Sequence, residues 1–136
     1  MIVNYIDDME MGMSILPSPG APTHEMGGVR FTSLATPSRG CTETSVWQVE
    51  IDPGTPAAPH SLTREEVFIV LAGTAQVRLG DRVGSAEVGD AIVVPAGVDF
   101  TLGNAGSDPL RLLCCFPVGG QARTPDGATF TPPWAA

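Results

Sequence analysis

Two stretches in the middle of the 136-residue chain decide its fold: GTPAAPHSLTREEVFIVLAG, residues 54–73, and GDAIVVPAGVDFTLGN, residues 89–104. Their apolar runs, VFIVLA and AIVV, are rich in β-branched residues, which favour strands. Glycine or proline bounds these runs, as is typical of short strands between tight turns. His60 and Leu62 are two positions apart, so in an extended segment their side chains face the same side. We therefore expect His60 and Glu66 to lie among apolar, inward-facing neighbours.

Strand signals continue on both sides of these stretches, and no amphipathic pattern of ten or more residues predicts a helix. Gly80-Asp81 predicts a hairpin turn, and Asn104 is expected to make hydrogen bonds that hold a turn. Many short strands with close turns indicate an all-β sandwich or barrel. Strands are predicted at residues 29–34, 45–51, 66–71, 74–79, 91–94, 98–102 and 110–116.

The chain is expected to form one domain, with less regular segments at both ends. Residues 1–27 contain several prolines and little pattern, and are predicted to be an N-terminal arm. Residues 28–118 form the β domain, and residues 119–136 form a C-terminal tail without strands. The tail ends near Trp134, which we expect to dock on the barrel or on a partner because a free indole is costly to expose.

Charge and composition exclude several functions. The formal net charge is −8, and the seven cationic residues are scattered arginines. Nucleic acid and anionic membrane surfaces need clustered cations, so neither is an expected partner. The absence of lysine excludes Schiff-base chemistry on a lysine side chain. Three cysteines without zinc-type spacing, no basic leader and no long apolar run favour a reduced, cytoplasmic setting.

The two stretches resemble the two motifs of the cupin family, G-x5-H-x-H-x3-E-x6-G and G-x5-P-x-G-x2-H-x3-N. The glycine, proline, glutamate and asparagine positions match, as does His60, and 15 residues separate the motifs, as in bacterial cupins. The resemblance implies a double-stranded β-helix, or jelly-roll barrel, with a small-molecule pocket at its mouth. It also implies a homodimer that exchanges or pairs edge strands and so hides exposed edges.

The resemblance further implies a divalent metal, such as Fe, Mn, Zn or Ni, held by three histidines and a glutamate. Two of those histidine positions are occupied here by Leu62 and Phe100. His60 and Glu66 remain, and catalytic metals typically keep three protein ligands. If the N-terminal arm crosses the mouth, His24 completes a set of two histidines and one carboxylate. Cys114 or Cys115 on the last strand is the other candidate for a third ligand, and without a third ligand a metal would bind weakly.

Three interpretations of His60 and Glu66 therefore stay open: a metal site, a metal-free acid/base pair, or two polar residues that only satisfy each other by hydrogen bonding. The first two predict a small-molecule enzyme of isomerase, cyclase or dioxygenase type. The third predicts a ligand-binding or sensory cupin without turnover. In each case the pocket walls are expected to include Trp47, Leu62, Phe68 and Phe100.

Overall fold

The computed structural model describes residues 13–136, which form antiparallel strands joined by short turns. The strands are β1 (Thr23–Met26), β2 (Val29–Ala35), β3 (Thr44–Ile51), β4 (Ser61–Leu62), β5 (Glu66–Ala72), β6 (Ala75–Leu79), β7 (Arg82–Ala86), β8 (Ala91–Val94), β9 (Phe100–Asn104), β10 (Leu110–Pro117), β11 (Ala122–Arg123) and β12 (Thr129–Phe130). Within the described residues, helical structure is confined to 3₁₀ turns at Pro37–Arg39 and Pro133–Ala135. None of it is long and apolar enough to cross a membrane.

The strands form one large sheet and two small ones. The large sheet has six strands in the order β1-β2-β3-β10-β5-β8, and the small sheets have the orders β7-β6-β9 and β12-β11-β4. Strands distant in sequence are neighbours, as in a jelly roll, and each named strand pair is antiparallel. The predicted all-β jelly-roll barrel is confirmed.

Alternation along the long strands fills the barrel interior. On β3 and β10 every second residue is buried, because successive side chains of a strand point to opposite faces. β10 lies between β3 and β5, with Cys114 opposite Trp47 on one side and Phe68 on the other. The inward side chains of these three strands join those of β2 and β9 in one apolar core.

The motif glycines lie at turns that other residues would strain. Gly54, Gly73, Gly89 and Gly97 all have positive φ. At Gly73 an added Cβ would stand 2.7 Å from the backbone oxygen of Pro109, so both the conformation and the close approach require glycine.

Asn104 makes the predicted turn hydrogen bonds. Its Nδ2 donates to the Ile51 carbonyl oxygen at 2.9 Å and to the Asp108 carbonyl oxygen at 2.8 Å. Its Oδ1 accepts from the Gly106 amide at 2.9 Å. The second motif thus ends by tying the β9–β10 loop to the end of β3.

Strands also occur where the sequence predicted none. β1 lies in the predicted arm, whose residues 1–12 fall outside the described residues, and pairs with β2. β11 and β12 lie in the predicted tail, where β11 pairs with β12 on one side and with β4 on the other. β7 completes the hairpin whose Gly80-Asp81 turn was predicted. These strands are short or mostly exposed, so they lack the apolar alternation on which the prediction depended.

Candidate active site in the barrel cavity

The barrel encloses a cavity of about 610 Å³. Its walls come from the inward faces of β2, β3, β5, β9 and β10, together with loops and the C-terminal tail. The structure places all six residues predicted for the pocket in these walls: Trp47, His60, Leu62, Glu66, Phe68 and Phe100.

His60 is held against Phe100, which links the first motif to the second. The two residues exchange backbone hydrogen bonds of 3.1 and 2.9 Å, and their rings lie 4.4 Å apart between centroids. The His60 Nδ1 is 3.0 Å from the Ala58 carbonyl oxygen. A carbonyl oxygen only accepts, so Nδ1 carries the proton and Nε2 is the basic nitrogen of neutral His60.

Glu66 is the first residue of β5 and is 4% exposed. Burial raises the pKa of its carboxyl to about 8, and no hydrogen bond or charge from the described residues opposes the shift. Loss of hydration disfavours the charged form, so at pH 7 the carboxyl is mainly protonated. It can therefore donate a proton near neutral pH and accept one at higher pH.

Cys114 and Trp47 add two further polar groups to the cavity wall. Burial and the nearby Glu66 raise the pKa of the Cys114 thiol, which keeps it protonated and a poor nucleophile. The Trp47 indole packs edge-on to Phe116 at 6.2 Å between centroids. Its Nε1 is buried without an acceptor among the described residues.

His24 does not join His60 and Glu66. It lies on β1 opposite Phe31, and its ring stands edge-on to Trp134 at 6.5 Å. Because Trp134 itself stacks on Phe31, the tail lies against His24, and His24 is not among the cavity-lining residues.

The residues present do not fit the divalent metal that the family pattern implies. Within residues 13–136, no three His, Cys, Asp or Glu side chains are grouped so that they could hold a metal ion. The other two ligand positions of the motifs, Leu62 and Phe100, are apolar and buried. His60 and Glu66 alone fall short of the three protein ligands that a catalytic metal usually keeps.

Part of the cavity wall was not predicted from the sequence. Met26 at the end of β1 and Gly27 in the turn that follows contribute to it, and the segment 55–59 before His60 lines the mouth. The C-terminal tail contributes Ala122, Thr124, Phe130, Pro132 and Trp134. The one sequence signal for this wall was Trp134, whose predicted docking on the barrel is confirmed by its stacking on Phe31 at 3.7 Å between centroids.

Comparison with known proteins identifies the family. Residues 47–116, just over half of the chain, match the model of the cupin domain. This chain belongs to the cupin family. The matched segment runs from Trp47 on β3 to Phe116 on β10 and includes both motifs.

Individual relatives resemble parts of this cupin. Over 50 residues it is 42% identical to mannose-1-phosphate guanylyltransferase 2 of Escherichia coli O157:H7, which covers 37% of this chain but 10% of that protein. The chain thus spans a small fraction of the length of this curated relative.

Solved structures share the fold at lower identity. The polyketide cyclase RemF of Streptomyces resistomycificus has a TM-score of 0.67 at 21% identity, covering 77% of this chain and 79% of RemF. The Bacillus subtilis oxalate decarboxylase, which has Mn(II) centres, has a TM-score of 0.65 at 20% identity, covering 74% of this chain and 29% of the decarboxylase. At these identities the likeness shows a shared barrel.

Proposed function

We propose that this cupin is a small-molecule enzyme that moves a proton on a substrate held in the barrel cavity, with Glu66 and His60 as its acid and base. The observation that carries this proposal is Glu66, a buried carboxyl with a pKa of about 8 in the same cavity as an imidazole. An acid whose pKa lies near the working pH is suited to proton transfer.

The two groups have complementary roles near neutral pH. Protonated Glu66 donates its proton to a substrate carbonyl oxygen, while Nε2 of His60 accepts a proton from the adjacent carbon, which gives the enol. In a ketone with a β,γ double bond this enol is a conjugated dienol; return of the proton from His60 to the γ-carbon, and of the oxygen proton to Glu66, moves the double bond into conjugation and completes an isomerisation. A substrate that fills the cavity displaces its water, and the apolar walls then strengthen both transfers because charge separation is less screened there.

The structural likeness to RemF is consistent with this chemistry, since RemF is a polyketide cyclase. Closing a ring within a chain of ketones requires an enol or enolate as the attacking carbon. The same acid and base that isomerise a ketone could therefore start a cyclisation.

Hydrogen–deuterium exchange at the α-carbons of 2-tetralone tests the proposal without knowledge of the natural substrate. This ketone is uncharged and smaller than the cavity, and NMR in D₂O follows its exchange directly. We expect the protein to accelerate exchange above the buffer rate. Glu66→Gln and His60→Gln should each lower the protein-dependent rate about 100-fold, the lower end of the effect of a positioned acid or base.

Glu65→Gln is the matched control for the exchange assay. Glu65 is the exposed neighbour of Glu66, so its replacement makes the same change of side chain outside the cavity. We expect exchange at the wild-type rate. Equal losses in Glu65→Gln and Glu66→Gln, or no acceleration by the wild-type protein, would contradict the proposed proton transfer.

A ligand-binding protein without turnover is the second candidate, and the apolar character of the cavity favours it. Most lining residues are aliphatic or aromatic, as in many sites that bind small molecules without reacting with them. Under this alternative, 2-tetralone binds but exchanges at the buffer rate.

A further inference from the structure

We propose that the cavity takes an uncharged, largely apolar molecule of fused-ring size that carries an oxygen acceptor, and that it rejects anions. This inference rests on the proposed function for its choice of site, and it names the class of ligand that the site selects. It follows from the charge, the size and the hydrogen-bonding groups of the cavity wall.

The charge of the wall excludes anionic ligands. All seven arginines lie within residues 13–136 and none of them lines the cavity, and the sequence has no lysine. The ionisable groups in the wall, His60, Glu66 and Cys114, include no permanent cation. A carboxylate, sulfonate or phosphate brought inside would lose its hydration without gaining a counter-charge, which is among the costliest forms of burial.

The size and shape of the cavity favour ring systems. At about 30 Å³ per water, the space of about 610 Å³ corresponds to about twenty waters, enough for several fused rings. Seven phenylalanine and tryptophan side chains line it and offer faces and edges on which planar rings pack well. They are Phe31, Trp47, Phe68, Phe100, Phe116, Phe130 and Trp134.

Two polar groups of wall residues that have no hydrogen-bond partner among the described residues favour an oxygen on the ligand. The Trp47 Nε1–H is a donor only, and it is buried without an acceptor among the described residues. The Glu66 carboxyl is also buried, and it too is a donor near neutral pH. In the sheet register Trp47 is opposite Cys114 and Cys114 is opposite Phe68, two residues from Glu66. The strands that carry the two donors are therefore about 10 Å apart, which suits a ligand with oxygens at separated positions.

A pair of matched fluorescent probes tests the charge selectivity. N-phenyl-1-naphthylamine is uncharged, and 8-anilinonaphthalene-1-sulfonate has the same ring system with one added sulfonate. We expect the neutral probe to bind the wild-type protein at pH 7 at least 10-fold more tightly. Equal affinity, or tighter binding of the sulfonate, would overturn the inference.

Two variants locate the bound probe. Leu102→Trp fills part of the cavity and should weaken binding of the neutral probe at least 10-fold. Leu71→Trp adds the same side chain at an exposed position on β5 and should leave binding unchanged. Equal effects of the two variants would place the probe outside the barrel and overturn the inference.

The indole N–H signals give a measurement that does not depend on a folded variant. The chain has two tryptophans, Trp47 and Trp134, and both line the cavity. We expect the neutral probe to shift both signals in ¹H–¹⁵N spectra, and the sulfonate at the same concentration to shift neither. No shift with the neutral probe would contradict binding in the cavity.

These outcomes separate the ligand class from the proton transfer. Selective binding of the neutral probe without exchange in 2-tetralone would refute the enzyme and keep the ligand class. Exchange in 2-tetralone without selectivity for the neutral probe would refute the ligand class and keep the enzyme.

Discussion

Burial of the Glu66 carboxyl lowers the stability of the folded protein. It is almost fully buried, and no charge or hydrogen bond from the described residues offsets its lost hydration. An apolar residue of similar size would fill the same place at the start of β5 with less cost to stability. A cost of this kind is expected where a group serves function, because active sites are where pKa values are displaced.

We predict that Glu66 makes stability fall as pH rises from about 4.5 to about 8. The pKa is raised from its ordinary value of 4.5 in the unfolded chain to about 8 in the folded protein. Between these values the folded state binds more protons than the unfolded state. The part of the folding stability that depends on protonated Glu66 is therefore fully present below pH 4.5. It is lost as the pH rises to about 8, by at most about 1.4 kcal/mol per pH unit.

Urea unfolding of wild type and Glu66→Gln at several pH values measures this effect. Glutamine does not ionise, so we expect the variant to gain stability relative to the wild type as pH rises through the window. Glu65→Gln, which replaces an exposed carboxyl, should show no such gain. A stability difference between wild type and Glu66→Gln that is independent of pH would contradict the raised pKa.

Sequence spacing could place Glu66 and His60 but not assign their states. The motif spacings and strand alternation predicted that both side chains face inward with Phe68, and the structure brings them to one cavity. The raised pKa of Glu66 depends on everything packed around it. The pKa of Glu66 is therefore set by burial in the folded barrel and could not be predicted from motif spacing. The position of His24 likewise depends on Trp134, a contact across more than 100 residues of chain.

The C-terminal tail closes one side of the barrel through contacts made by a few residues. The Trp134 ring stacks on Phe31 with an interplanar angle of 7°. The Ser33 hydroxyl donates to the Trp134 carbonyl oxygen at 2.8 Å, and the Ser45 hydroxyl donates to the Ala135 carbonyl oxygen at 2.7 Å. Both serines are buried on the inner face of the large sheet, so the tail satisfies polar groups that would otherwise be orphaned.

We predict that Trp134→Ala destabilises the protein by about 1–3 kcal/mol, because it removes the aromatic ring that stacks on Phe31. Phe130→Ala is the matched control in the same tail: Phe130 is 42% exposed, and its loss should cost within about 0.5 kcal/mol. Urea unfolding at one pH measures both. Equal costs for the two variants would show that the tail is not anchored through Trp134.

The strands that could be predicted from the sequence are those with one buried face. β3 and β10 alternate buried and partly exposed residues, and their apolar period of two was visible in the sequence. β7 has one buried residue in five, and β12 has none. Such strands form through backbone hydrogen bonds to a neighbouring strand. Because these bonds do not depend on side-chain type, the sequence of such a strand has no apolar alternation to detect. Four of the five tail residues in the cavity wall were therefore missed, although the docking of Trp134 was expected.

The outer face of the large sheet is apolar across three strands. The register places Cys115 opposite Val67, and Val67 opposite Val93. A second apolar row follows, in which Leu113 is opposite Ile69 and Ile69 is opposite Ala91. β8 is also an edge strand, paired only with β5 within the described residues. A contiguous apolar face beside an open edge favours association, because burial removes both from water.

We propose that a second copy of this chain covers that face and forms a homodimer with two-fold symmetry, in which each apolar row packs against its counterpart. Val93→Arg introduces a charge that would be buried without a partner in such an interface, so we expect the variant to be monomeric where the wild type is dimeric. Val83→Arg is the matched control: Val83 is 55% exposed on β7 of a different sheet, against 47% for Val93, and it should stay dimeric. Light scattering coupled to size-exclusion chromatography at about 50 μM measures both masses. A monomeric wild type, or dissociation by both substitutions alike, would refute dimerisation through this face, since only Val93 lies in the rows that a symmetric partner would cover.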